Sequence, residues 1–293
     1  MLIVRFVPAG GDHPVVGVQA GDTVTELPFA GVGELLALPL ADLRAALTAA
    51  DGATHDATTV RRLPPVDGRT EVWAAGVTYQ RSREARITES ERSADVYDLV
   101  YDAERPELFF KSASWRVTGD GESVSVRTDS GIDVPEPELG LVVNARAEIV
   151  GYTVVNDMSS RSIEGVNPLY LPQAKIYLGG CAVGPGIRPV WEVADPYALT
   201  IEMEIEREGA VVWSGGTTTA LLHRKFDELV HYLFHSDVFP DGVVLATGTA
   251  LVPELPFTLT SGDRVAITVA EVGALASTVV AGKEPLSWLA DGR

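Results

Sequence analysis

Apolar residues in this chain recur in short runs, and their spacing changes from one segment to the next. Leu2–Val7 and Val15–Val18 are strand-like runs, and Leu43–Ala50 is spaced for a helix. Leu63-Pro64-Pro65-Val66-Asp67-Gly68 carries the residues of a turn or linker, dividing a small N-terminal segment, residues 1–66, from a larger one, 67–293. Beyond it, runs of β-branched and apolar residues follow at Glu71–Gly76, Leu108–Lys111, Glu138–Asn144, Ile149–Asn156, Leu199–Glu206, Val243–Ala246 and Arg264–Ala270. Ile201–Glu206 alternates strictly, which predicts a strand with one wet face. Leu222–His235 places Leu222, Phe226, Leu229, Val230 and Leu233 on one helical stripe, with Thr217–Thr219 upstream as capping candidates. Ser82–Asp102 reads as a charged helix, and Arg81–Arg105 as either a mobile lid or a solvated surface segment. Strands without regular strand–helix alternation exclude a doubly wound sheet or an eight-fold βα barrel. They point to a β-rich α+β fold.

Composition narrows the function classes. Apolar residues make up 46% and charged residues 22%, ordinary values for a globular protein. No run approaches the roughly 20 apolar residues that span a bilayer, and the first residues lack the basic head and apolar stretch of a signal peptide. A single cysteine, Cys181, excludes an internal disulfide and fits a reducing compartment, so a cytoplasmic location is expected. The net charge of −18 repels phosphate backbones and argues against nucleic acid as a partner. It also means that a site for an anionic substrate needs local cations or a metal.

The chemistry concentrates in Val134-Pro135-Glu136-Pro137-Glu138-Leu139-Gly140. Residues two apart on a strand face the same side, so Glu136 and Glu138 present two carboxylates together. Such a pair repels itself unless a cation lies between; two exposed acids on an edge strand are the plainer alternative. Asp157 ends the next apolar run, and a hairpin around Ala145–Glu148 brings it within reach of the same ion. An all-oxygen set selects Mg²⁺, Mn²⁺ or Ca²⁺ over zinc. Lys175 follows in a polar, proline-punctuated run, either as a base or as a counter-charge. Leu245-Ala246-Thr247-Gly248-Thr249 reads as a strand entering a tight loop whose amides and hydroxyls suit a carboxylate. The five histidines read as satisfied or solvent-facing, and Cys181 as a packing residue.

Taken in order, the Glu-x-Glu strand, the Asn156-Asp157-Met158-Ser159-Ser160-Arg161 run, the Gln173-Ala174-Lys175 segment, Gly184-Pro185 and Thr247-Gly248-Thr249 resemble the fumarylacetoacetate hydrolase superfamily, from about Glu71 to Val280. Gly76-Val77-Thr78-Tyr79, the run Arg105–Lys111 and the run Asn167–Gln173 are most similar to its 2-keto-3-deoxy-D-arabinonate dehydratase-like branch.

The resemblance implies a mixed-sheet catalytic domain behind a small N-terminal domain, a homodimer or higher homo-oligomer, and a 2-oxo acid substrate. It implies metal ligation by Glu136, Glu138 and Asp157. Substrate binding falls to Thr249, Gly248, Lys111, Arg81, Arg83, Tyr79, Arg161 and Gln173. Lys175 or Glu107 is the base for the C3 proton, and the other helps the C4 hydroxyl depart. In Glu107–Lys111, strand alternation puts Glu107, Phe109 and Lys111 on one face toward the pocket. Hydrolytic members carry a water-activating His and Glu where this chain has Ser82 and Ala85, and many members have an acid where it has Ser162 and an acid or amide where it has Leu178. The expectation is therefore a Mg²⁺-dependent lyase that dehydrates a 2-keto-3-deoxy sugar acid through a metal-stabilised enolate. Its rivals are a 2-oxo acid decarboxylase, a keto–enol isomerase or hydrolase, and a non-catalytic metal or 2-oxo acid binding protein.

Overall fold

The structure is a computed structural model that describes residues 1–80 and 99–291. Its N-terminal segment forms β1 (Leu2–Val7), β2 (Val15–Ala20), β3 (Thr23–Glu26), α1 (Val32–Leu36), α2 (Leu40–Thr48), β4 (Thr54–Asp56) and β5 (Arg61–Leu63). The central segment contributes β6 (Glu71–Gly76), β7 (Glu107–Ala113), β8 (Val124–Val126), β9 (Asp133–Val134), β10 (Pro137–Val143), β11 (Ile149–Asp157) and β12 (Ser159–Ser160). Two short helices, α3 (Arg161–Val166) and α4 (Leu171–Lys175), precede β13 (Cys181–Pro189). Then come β14 (Thr200–Arg207), β15 (Ala210–Thr218), α5 (Phe226–Phe234), β16 (Val243–Ala246), β17 (Arg264–Val269) and β18 (Gly273–Ala281).

The strands make one large sheet in the order β4-β3-β2-β1-β13-β11-β10-β16-β6-β7, with β5 also on β1, a five-stranded sheet β15-β14-β17-β18-β8, and the small pair β12-β9. β16 runs parallel to β6 and β18 parallel to β8, whereas the other paired strands are antiparallel. Mixed sheets with few helices are the β-rich α+β architecture that the short apolar runs predict. Residues 1–66 have no sheet separate from the rest: β1 pairs β13 at Ile3 and Ile187 and carries the large sheet across the linker.

The central strands are apolar on both faces because both faces are covered. On one side Leu139, Leu141, Tyr152, Val154 and Leu245 pack with Ile201, Met203 and Ile205 of β14 and with Leu229 and Leu233 of α5. On the other, Val142, Val150, Val155 and Val244 meet Leu35 and Leu36 of α1 and Leu43 of α2. β14 buries Ile201, Met203 and Ile205 and leaves Glu202 exposed, the wet-faced strand expected from its alternation.

Two helix boundaries differ from the sequence expectation. α2 starts three residues earlier than its apolar spacing indicates, with Pro39 as its N-cap. α5 begins at Phe226, because Thr217 and Thr218 are taken into β15 as partners of Ile201 and Thr200. The first turn of α5 is instead closed by the Glu228 carboxylate, which accepts the Lys225 N–H at 3.3 Å. Ser82–Asp102 falls almost entirely outside the described residues. No helix among those described is long and apolar enough to cross a membrane.

Leu139 is fully buried directly behind the acidic pair of β10. Its truncation to Ala should cost about 2–5 kcal/mol through lost transfer energy and a residual cavity. Urea unfolding followed by circular dichroism reads that loss.

Candidate active site

Strand register assembles the acids. Pro137 of β10 pairs Asn156 of β11, so the next step of the ladder sets Glu136 opposite Asp157, whose N–H donates to the Glu136 carbonyl at 3.0 Å. Glu138, two residues along, returns to the same side. One carboxylate oxygen from each of Glu136, Glu138 and Asp157 lies within 4.8 Å of the others, and all three residues are buried.

Cations surround this cluster. Arg161 Nη2 lies 2.7 Å from Glu136 Oε1, and Lys175 Nζ lies 2.9 Å from Glu136 Oε2. The same ammonium reaches Asp157 Oδ2 at 2.9 Å and donates to Ser159 Oγ at 2.6 Å. Lys111 Nζ holds Asp157 Oδ1 at 2.5 Å. Glu138 has weaker support, a single amide: Gly248 N–H donates to its Oε2 at 2.6 Å. Burial pushes the Glu138 carboxyl well above the usual range, and repulsion from Asp157 and Glu136 adds to that push. Three hard oxygen ligands, dry and mutually repelling, form a donor set suited to a divalent cation of the Mg²⁺, Mn²⁺ or Ca²⁺ kind, and each carboxylate has lone pairs left for one.

A narrow cleft opens onto the triad. Glu107 and Phe109 of β7 form one wall, Arg161 and Glu164 of α3 another, and Lys175, Gly248 and Thr249 complete it. Glu107 lies over the backbone of Gly76, where a methyl group would overlap its carboxylate. Gly248 has φ +86, and a side chain there would meet Thr78 Oγ1 and the Ala75 carbonyl. Val77, also on the cleft wall, has φ 52, an unusual left-handed conformation for a β-branched residue. Next to it, Thr78 Oγ1 donates to the Thr247 carbonyl at 2.6 Å, tying the two strand ends together.

Of the site residues expected from sequence, the structure brings Glu136, Glu138, Asp157, Lys175, Glu107, Arg161, Gly248 and Thr249 to one cleft. The Gly248 amide points at Glu138 rather than at a substrate carboxylate, and the Thr249 hydroxyl accepts the Leu251 N–H at 3.0 Å. Lys111 is not on the cleft wall. The β6–β7 ladder pairs Val72 with Ser112 and Trp73 with Phe110, leaving Lys111 as the extra residue of a bulge, and its ammonium lies under the triad on Asp157. Tyr79 is buried and bridged to Leu222, with its hydroxyl pushed up by burial and by Glu138. Gln173 is exposed, two residues from Lys175 on a helix and so on a different face. Arg81 and Arg83, like Ser82 and Ala85, lie outside the described residues.

Glu164 of the cleft wall and Ser159 beneath it were missed. Glu164 lies one helical turn after Arg161, its carboxylate 4.0 Å from the guanidinium, and the i, i+3 spacing was the available signal. Ser159 holds Lys175, and only its place beside Asp157 marks it in the sequence. Ser162, where many similar proteins have an acid, instead accepts the Gly131 N–H at 3.1 Å and ties down the loop before β9. His223 stacks on Tyr101, away from the triad. Burial raises the Cys181 thiol to about 12, which fits packing rather than reactivity.

Residues 72–280 match the family described as fumarylacetoacetate (FAA) hydrolase C-terminal. The chain belongs to this family. It is 52% identical over 215 residues, 73% of each chain, to the probable 2-keto-3-deoxyxylonate dehydratase of Haloferax volcanii. It is 43% identical over 223 residues, 75% of this chain and 74% of the other, to the 2-dehydro-3-deoxy-D-arabinonate dehydratase of Saccharolobus solfataricus. A solved structure of 2-keto-3-deoxy-D-arabinonate dehydratase complexed with magnesium and 2,5-dioxopentanoate superposes with a TM-score of 0.83 at 34% identity, covering 96% of this chain and 99% of that one. Within the FAA hydrolase family, these relatives are named as sugar-acid dehydratases.

Glu138→Gln removes a buried charge repelled by two neighbours while keeping volume and the Gly248 contact. The variant should melt higher than the wild type in chelator and show no rise in Tm on adding a divalent cation. Differential scanning calorimetry with and without the cation compares the two proteins.

Proposed function

We propose that this chain is a Mg²⁺-dependent hydro-lyase that removes water from a 2-keto-3-deoxy pentonic acid. The observation that carries the reading is the position of Lys175 Nζ, 2.9 Å from each of two triad acids in a cleft that also holds Glu107, in a chain 52% identical over 215 residues to a probable sugar-acid dehydratase.

Glu136, Glu138 and Asp157 are the residues that would hold the ion. A bound divalent cation supplies Lewis-acid withdrawal of charge from a 2-oxo acid's C1 carboxylate and C2 carbonyl. Lys175, as the neutral amine, takes a proton from C3, its position set by Ser159 Oγ and the two acids. Glu107 delivers a proton to the C4 hydroxyl, which leaves as water with the C3–C4 double bond formed in its place. A proton then lost from C5 and one gained at C3 give a C4–C5 enol, and loss of its hydroxyl proton with protonation of C4 gives a 2,5-dioxo acid, the class of compound held by the solved dehydratase. Arg161 and Thr249 orient the substrate's oxygens, and Phe109 and Leu171 keep the cleft wall apolar. With Ser82 and Ala85 in place of a water-activating pair, hydrolysis of a C–C bond lacks its general base. Small 2-oxo acids are the partners, and a homodimer belongs to the same reading.

Incubation with a panel of 2-keto-3-deoxy acids, acylpyruvates and 2-oxo diacids plus Mg²⁺, followed by NMR, should show loss of the C3 and C4 proton signals of a pentonate and growth of an aldehyde. Carbon dioxide release, or acylpyruvate cleavage, as the main event would replace dehydration with decarboxylation or hydrolysis.

Lys175→Met and Lys175→Arg should each lower turnover by about 10²–10⁴-fold, the usual contribution of a positioned general base. Exchange of C3 protons into deuterated water isolates the step. Full exchange in the Arg variant, which keeps charge but not basicity, would make Lys175 a clamp and Glu107 the base.

A further inference from the structure

Lys111 has no place on the cleft wall, yet its side chain is fully buried. It is the extra residue of the bulge in β7, and its ammonium lies under the triad. There it pairs with Asp157 Oδ1 at 2.5 Å and donates to the Met158 carbonyl at 2.8 Å and the Lys175 carbonyl at 2.6 Å.

These contacts close a ring. Lys111 Nζ meets one oxygen of Asp157, the other oxygen of Asp157 meets Lys175 Nζ, and the backbone of Lys175 returns to Lys111 Nζ. The Met158 contact fixes the backbone immediately after Asp157, and the Lys175 contact fixes the last residue of α4. β11 and α4 are otherwise separate elements.

We infer that Lys111 is a positioning residue that sets Asp157 and Lys175 relative to one another, so that metal ligation and C3 proton transfer are aligned by a group that touches neither ion nor substrate. The inference rests on the roles given above to Asp157 and Lys175. A neutral replacement loses the hold on Asp157 and lets the end of α4 shift, and each effect has its own readout.

Lys111→Gln keeps an amide donor for the carbonyls and removes the charge. Calorimetric Mg²⁺ affinity, measured without organic substrate, should weaken by about 10–100-fold, the usual effect of disturbing a ligand's hydrogen-bond partner. At saturating Mg²⁺, kcat for the pentonate should stay at least about tenfold low with KM changed less than about twofold, because the base is displaced and binding is not. Unchanged Mg²⁺ affinity and kcat in a folded variant with a lower Tm would reduce Lys111 to packing and overturn the inference. Full recovery of kcat at saturating Mg²⁺ would also overturn it, because Lys111 would then serve Asp157 alone. Where Lys111→Gln does not fold, Lys111→Arg decides. It keeps the ion pair but moves the two carbonyl contacts, so kcat should fall by more than the metal affinity, and an unchanged kcat rejects the coupling. Mg²⁺ titration needs no substrate, and C3 proton exchange of any bound 2-oxo acid reads the Lys175 arm. A wrong choice of substrate class is thereby separated from a wrong role for Lys111.

Discussion

Three carboxylates held together in the interior of this protein repel one another, and much of the surrounding structure answers that repulsion. Glu136, Glu138 and Asp157 are each nearly inaccessible to water, where isolated ions are costly. Their neighbours are therefore cationic: Arg161 on Glu136, Lys175 between Glu136 and Asp157, Lys111 on Asp157. Glu138 alone has no cation within ion-pair distance among the described residues, and burial pushes its carboxyl well above the usual range. The cluster is balanced at two of its three corners, and the third is where a divalent cation relieves the most.

The fold delivers this arrangement by register. In an antiparallel pair a one-residue slip turns every side chain to the opposite face. Here a slip between β10 and β11 would bury acids among Leu139, Val154 and Leu245 and expose valines to the cleft. Apolar packing on both faces of those strands therefore sets the geometry of the acids as firmly as the acids' own contacts do. The hairpin turn carries its own lock, since Asn144 Oδ1 accepts the N–H groups of Arg146 and Glu148 at 2.9 Å.

What could be read from the sequence follows from how local each cause is. The period-2 spacing of Glu136 and Glu138, and the alternation of Ile201–Glu206, need only a strand, and both appear as strands do. The start of α5 could not be read, because Thr217 and Thr218 obey the pairing of β14, which lies far from them in sequence. Lys111 illustrates the same limit within the site. Alternation from Glu107 points it toward the pocket, and only the placing of Asp157, Met158 and Lys175 around it shows that it lies beneath the cleft. The order of weak motifs led to the family, whereas the Gly248 amide's commitment to Glu138 required the loop to be placed beside β10.

The depth at which Lys111 lies decides what the cleft can do. An ammonium on the cleft wall beside Glu107 would pair with the carboxylate assigned to protonate the C4 hydroxyl and hold it ionised, the wrong state for an acid. Lys111 instead lies under Asp157, where it steadies a ligand and the backbone of Lys175. Glu107 is left above the bare backbone of Gly76, a position that admits no side chain beneath it. β7 thus carries acid chemistry at one end and cation support further along, and the cleft needs both on a strand of seven residues.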